Sequence, residues 1–489
     1  MKTNVKILAV LAMMLAAVFA GLGGCENASS SVTPMEPSPV TPPPGTSPEA
    51  PPEIPPETTT AAPTVGLSKQ PGVQYYLTFT SDLTSKTVKV YDAASGGNQL
   101  AGTLDGSNFK FTRQFANSKD LWVTVTETGK GESSRVKVAA DTTVITPTSF
   151  TQITDTNFTT HFNTTGDKLA GIGWINGIFV AGGNQGRAAW SDDGGVTWTA
   201  ISGTPVGNSS SLINGFANGI DENGDEIIIM IAEGTAAAAW SNDGKVWTPV
   251  TVDIPFSGDI RAIVYDGSPG NKKFIMGGSK KIYTSTYGKT WTTNDTVLAT
   301  AFTGGANIGG LAYGNGKFVV VGGNSGNPMG MASAYSSDGG ITWTTNSGFY
   351  DGTHDGYPKY GLVYNDTHGF VMVGGKGIVM HSTNGINWTT VAWHGADSPN
   401  AIPPKFGGTG QSAEFINRVA YGSGVFLAGG KNGLTLYSFN GTNWNLNPGD
   451  NQTSGSASPV TGSDFINGIG YACGRFIVVG QNAISAYTP

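Results

Sequence analysis

The sequence predicts an all-β protein, a seven-bladed β-propeller preceded by a small immunoglobulin-like β-sandwich. Three observations carry that reading. Of 489 residues, 72 are glycine, about twice the usual share of ~7%. Charged residues are only 12%, about half the usual fraction, which excludes the Glu- and Lys-rich make-up of a long-helix or coiled-coil protein. A strand–turn–strand unit closing in tryptophan recurs along most of the chain, and self-similarity at such a period marks repeated sheets. The 38% hydrophobic residues suffice for a core. A net charge of −7 argues against nucleic acid as partner, since that needs a basic face to displace counterions.

The first element is an export signal. Lys2 and Lys6 precede an apolar run from Ile7 to Leu22, which ends in Leu22-Gly23-Gly24-Cys25. This ending resembles the lipobox of bacterial lipoproteins, which implies that Cys25 is the lipidated first residue of the mature chain and that lipid is the membrane anchor. Glu26 stands where an Asp would resemble an inner-membrane retention signal, so the expectation is the outer membrane or cell surface. With Cys25 consumed, Cys473 has no partner for an intrachain disulfide and is expected to be a small buried side chain. Residues 25–70 are rich in Pro, Thr, Ser and Glu and read as a disordered tether.

Residues 71–147 follow as the sandwich. Alternating strands Tyr75–Thr80, Lys86–Tyr91, Phe109–Phe115, Leu121–Thr126 and Arg135–Ala139 are separated by turn signals such as Ser95-Gly96-Gly97-Asn98.

Residues 148–489 carry the repeat. Ser191-Asp192-Asp193-Gly194-Gly195-Val196-Thr197-Trp198 recurs as Ser336-Ser337-Asp338-Gly339-Gly340-Ile341-Thr342-Trp343. Shortened or altered copies centre on Asp243 with Trp247, on Tyr287 with Trp291, on Asn384 with Trp388 and on Asn440 with Trp444. These endings resemble the Asp-box, the bacterial neuraminidase repeat. The resemblance implies a sialidase-like propeller with the boxes as structural turns on the face away from the ligand site. A seventh unit stops before its box, and the segment Phe150–Asn157 is expected to supply the missing outer strand beside Ile484–Thr488, closing the ring.

Loop length concentrates on the other face, at Thr293–Ala306, Asn346–Lys359, Trp393–Glu414 and Pro448–Asp464. Long loops of this kind are usually functional. Aligning the innermost strands on their tyrosines yields a column of Ala170, Asn214, Arg261, Gly309, Tyr360, Asn417 and Asn467, followed by a column of Gly or Ala broken only by Arg418. The candidate ligand-binding residues are therefore Asn214, Arg261, Tyr360, Asn417, Arg418 and Asn467, a ring of hydrogen-bonding groups suited to a polar ligand. Arg261 and Arg418 would repel across the mouth unless acids such as Asp259 and Glu414, or an anionic ligand, offset them.

The predicted function is a noncatalytic, monomeric envelope lipoprotein that binds a protein or glycan. Asp-box propellers also resemble photosystem II stability factors and sortilin-like receptors. The alternative is an exo-acting glycoside hydrolase of sialidase-like fold. Sialidase chemistry needs three carboxylate-clamping arginines, a Tyr–Glu pair and an acid Asp, whereas Arg187, Arg261, Arg418 and Arg475 are all the arginines the repeat region has. A different glycosidase would draw two carboxylates from Asp351, Asp355, Asp397 and Glu414. No cofactor or metal is expected: Asp221-Glu222-Asn223-Gly224-Asp225 opens like a calcium loop, but its twelfth position is Ala232 rather than Glu.

Overall fold

The computed structural model describes residues 58–489 apart from 163–166, 235–236, 253–257, 269–271, 280, 295–306, 325–329, 347–348, 350–360, 376, 393–414, 448–464 and 483–484. The stretch expected to be an export signal, Cys25 and almost all of the four long loops lie outside the described residues. The described chain is all-β, built mainly of four-stranded sheets. No described helix is long and apolar enough to cross a membrane.

Two sheets form the first layer pair. Strands Val65–Gln70, Gln74–Phe79, Asn108–Phe111 and Gly102–Asp105 make one; Gln99–Leu100, Lys86–Tyr91, Leu121–Glu127 and Val136–Val138 make the other. Alternation supplies their shared core, with Leu77, Phe79, Val90, Phe109, Phe111, Val123 and Val125 turned inward. Order begins earlier than the sequence suggested. Val65–Gln70, assigned to the tether, pairs along its length with Gln74–Phe79, and Thr60 donates to the Gly131 carbonyl. Only two of the six side chains in Val65–Gln70 are aliphatic, so composition concealed the strand.

Among the described residues seven further sheets follow; five are meanders of four consecutive strands, and the third adds Thr251–Val252, parallel to Thr290–Asn294, outside such a meander. Their first strands are Leu169–Ile175, Leu212–Ile220, Ala262–Asp266, Asn307–Gly314, Gly361–Asn365, Ile416–Gly422 and Ile466–Ala472. Each packs on the first strand of the next sheet, and the seventh packs on the first, so the set closes on itself. Tyr265, Tyr313, Tyr364, Tyr421 and Tyr471 each pair across the strand with a phenylalanine, ring centroids 4.5–4.8 Å apart. Such cross-strand aromatic pairs bind a sheet together. Glycine lets the first strands converge: a Cβ on Gly314 or Gly422 would lie 2.1 Å from the tyrosine ring of the next sheet. At four hairpin tips, Asn176-Gly177, Asn315-Gly316, Ser423-Gly424 and Cys473-Gly474, both central residues have positive φ. That conformation matches the right-handed strand twist.

The seventh sheet takes its outermost strand from the other end of the region. Thr151–Gln152 pairs antiparallel with Tyr487 and Ala486. The closing strand is shorter than Phe150–Asn157, because Asp155 caps a helix, Thr156–His161, that turns the chain inward. Asp155 Oδ2 also accepts from the Trp198 backbone N–H at 2.6 Å, and Phe158 packs on the Trp198 ring.

The Ser-x-Asp-x-Gly-x-Thr-Trp turns have one construction. Asp193 accepts from the Val196 and Thr197 backbone N–H groups and the Thr197 hydroxyl, and Ser191 Oγ accepts from Gly195 N–H. Asp338 repeats the set. Asp243 accepts from two backbone N–H groups, as do Asn384 and Asn440 through their amide oxygens. The indoles of Trp198, Trp247, Trp291, Trp343 and Trp444 donate to the glycine carbonyl three residues earlier. Trp388 is the exception, its buried Nε1 without a partner among the described residues.

The two-sheet layer packs on this hairpin side of the ring. Trp174 Nε1 donates to the Gly72 carbonyl at 3.0 Å, and Tyr75 shares a core with Trp174, Phe179, Cys473 and Ile477. Cys473 is buried, as the sequence suggested. Its thiol donates to the Phe115 carbonyl, and burial pushes its pKa up to about 12.

Candidate functional site

The residue column aligned from the sequence coincides with a repeated irregularity of the first strands. Register shifts fall between Leu169 and Gly171, Ile213 and Gly215, Ile308 and Gly310, Ile416 and Arg418, and Ile466 and Gly468. The residues skipped are Ala170, Asn214, Gly309, Asn417 and Asn467. A β-bulge leaves its extra residue out of the ladder and re-aims the side chain. Arg261 stands just before its strand, held by its N–H to the Gly277 carbonyl.

These positions meet in one cavity of about 150 Å3, lined by Asn214, Arg261, Asn417, Arg418 and Asn467 together with Lys168, Glu233, Ala170, Gly309 and Leu212. Five of the six candidate residues are thus brought together, and Tyr360 lies outside the described residues. Asn214 Nδ2 donates to the Ile260 carbonyl and Asn417 Nδ2 to the Ile466 carbonyl, each reaching the next sheet. That leaves both amide oxygens buried and without a protein donor among the described residues.

The two arginines are not equivalent. Arg261 Nη2 lies 2.6 Å from Asp259 Oδ2, and its Nε lies 3.2 Å from Glu233 Oε2, close enough for an ion pair though not aligned for a hydrogen bond. Asp259 was legible as a partner two residues away; Glu233 was not, because it ends the second strand of the preceding sheet. Arg418 has no carboxylate within ion-pair distance among the described residues, and its Nη1 donates to the Asn417 carbonyl. Burial lowers its pKa from the ordinary value, Glu233 opposing that effect and Arg261 adding to it. The guanidinium stays charged. It replaces the small residue found at this place in the other sheets, and Gly361 of the preceding sheet makes room: a Cβ there would lie 3.0 Å from the Arg418 Cα.

Arg187 pairs instead with Asp167, and Arg475 donates to the Gly194 carbonyl, so two of the ring's four arginines line the cavity. The loop acids Asp351, Asp355, Asp397 and Glu414 lie outside the described residues. Asp221, of the calcium-like stretch, accepts from the Asn223 and Asp225 N–H groups and pairs with Lys289 at 3.0 Å, as a hairpin tip tied to the next sheet.

No family model matches the chain, and no curated protein matches it. Solved structures do resemble it. YCF48 bound to D1 peptide is 14% identical with a TM-score of 0.45, the match covering 70% of this chain and 96% of that one. YCF48 from Cyanidioschyzon merolae is 15% identical, TM-score 0.46, over 70% and 98%. An auxiliary nutrient binding protein from Bacteroides thetaiotaomicron is 11% identical, TM-score 0.35, over 74% and 94%. None of these likenesses decides what this chain binds.

Proposed function

We propose that this protein is an envelope lipoprotein, tethered through a lipidated Cys25, in which an immunoglobulin-like sandwich carries a seven-bladed Asp-box propeller. Its function is to bind a carboxylate-bearing protein or glycan at the mouth of the ring, without catalysis. The observation that carries the binding role is the pairing of the charges there: Glu233 and Asp259 form ion pairs with Arg261, whereas Arg418 faces the same cavity with no carboxylate within ion-pair distance among the described residues. An arginine held in this way favours a ligand carboxylate, which it engages with two parallel N–H bonds. Lys168 adds positive charge at the rim, and the unfilled oxygens of Asn214 and Asn417 accept from ligand hydroxyl or amide groups.

The test is an array of acidic and neutral glycans and of peptides with free or amidated C-termini. Acidic members should be retained, and Arg418→Ala should weaken them about 10- to 100-fold, the worth of a charge-assisted hydrogen-bond pair. The melting temperature should barely move. Undiminished binding by Arg418→Ala would place the ligand elsewhere.

A further inference from the structure

The larger cavity is on the other side of the ring. Between the two-sheet layer and the hairpin ends of the first, second and seventh ring sheets lies a cleft of about 920 Å3. Pockets for small ligands commonly run to ~300–1,000 Å3, so this one has room for several sugar or amino-acid units. It is independent of the mouth: on the strand Leu212–Ile220, Asn214 belongs to the mouth and Asn218 to the cleft, four residues or roughly 13 Å apart.

Three features define its chemistry. Its fixed charges cancel locally. Arg113 of the two-sheet layer reaches Glu226 of the ring at 2.6 Å, and Lys119 lies over the Phe115 ring at 4.2 Å, with Asp92 as its electrostatic counterpart. Its unfilled groups are acceptors: Gln114 Oε1 and Glu226 Oε2 are buried with no donor among the described residues. Amides border it, with Gln99 and Asn117 exposed at the rim, while Phe115, Trp174 and Phe216 supply apolar surface.

We infer that this cleft is a second binding site, built for an uncharged oligosaccharide. Sugar hydroxyls donate to the Gln114 and Glu226 oxygens and exchange both kinds of hydrogen bond with the rim amides. The half-buried Phe115 and Phe216 side chains give the C–H groups of the pyranose rings apolar surface to rest on. A charged ligand would have to disturb the Arg113–Glu226 pair. A peptide adding as a strand needs an open edge, but the bordering backbone is occupied: Ala101 O accepts from Thr112, Gln114 N–H donates to Asn176, and Ala116 O accepts from Cys473.

The experiment uses the full chain in detergent micelles, titrated with neutral hexasaccharides of α-glucan, β-glucan, mannan, xylan and chitin type, and with a polygalacturonate hexamer. Tryptophan fluorescence, to which Trp174 contributes, and calorimetry provide the readouts. At least one neutral hexasaccharide should bind at millimolar concentration or below. The double variant Gln99→Ala with Asn117→Ala, both exposed, should weaken it about tenfold, as expected for two lost hydrogen bonds. Arg418→Ala should leave that affinity unchanged, so failure here and failure of the mouth proposal are distinguishable. No neutral hexasaccharide binding, a preference for the polygalacturonate, or binding that survives the rim variant but is lost in Arg418→Ala would each overturn the inference.

Discussion

Asp338 shows how one side chain can fix both a turn and a pH response. Burial works to raise its pKa, but hydrogen bonds from the Thr342 hydroxyl and backbone, from Ser336 and from Ile341 outweigh that and hold it at about 2. In an unfolded chain the value is ~3.9. A folded pKa below the unfolded one gives stability that is complete above about pH 4 and is lost as pH falls towards 2. Thermal melts of wild type and Asp338→Asn should therefore differ near neutrality and converge near pH 2. A gap that stays constant over that range would refute the assignment. Asp338→Ala should cost more than Asp338→Asn, since Asn384 and Asn440 show that an amide oxygen still receives two backbone N–H groups. These turns were legible because their spacing is rigid and their residues are chemically distinctive. The bulges beneath the candidate site were not, since an extra residue in a strand leaves no mark on composition; the tyrosine alignment found the column without its cause.

Among elements, the short strand Thr151–Gln152 and the helix after it matter more than their size suggests. They complete the seventh sheet, cap the backbone of Trp198 through Asp155 and bury Phe158 and Phe162. Deleting residues 148–158 should lower the melting midpoint by about 5 °C or more, taking ~2–4 °C per kcal/mol for a domain of this size. Deleting residues 30–56 removes none of the described contacts and should leave the midpoint nearly unchanged. Equal midpoints would mean that the ring does not depend on its closure. The strand was foreseen because the last repeat lacked one. The helix was not: Thr-Asn-Phe-Thr-Thr-His has poor helix formers, and its stability comes from packing against Trp198. Val65–Gln70 was hidden in the same way, by short length and mixed polarity.

For the whole molecule, the core shared by Tyr75, Trp174, Phe179 and Cys473 joins the two-sheet layer to the ring. Calorimetry should accordingly show a single endotherm for both, and two resolved transitions would contradict that coupling. Neither this junction nor its cleft could be read from the sequence, because the residues come from segments hundreds of positions apart, each ordinary in its own neighbourhood. Ring closure by Thr151–Gln152 also has a consequence in time. Its partner, Ser485–Tyr487, is made some 330 residues later, which at ~5–20 residues per second is a delay of roughly 15–70 s. Through that interval one face of the first sheet lies uncovered and Thr151–Gln152 has no mate, so the nascent chain carries exposed apolar surface and an unpaired edge of the kind that recruits other strands. A translation product ending only a few residues early would keep that unpaired edge permanently and be a substrate for quality control rather than a slightly shorter version of the same protein.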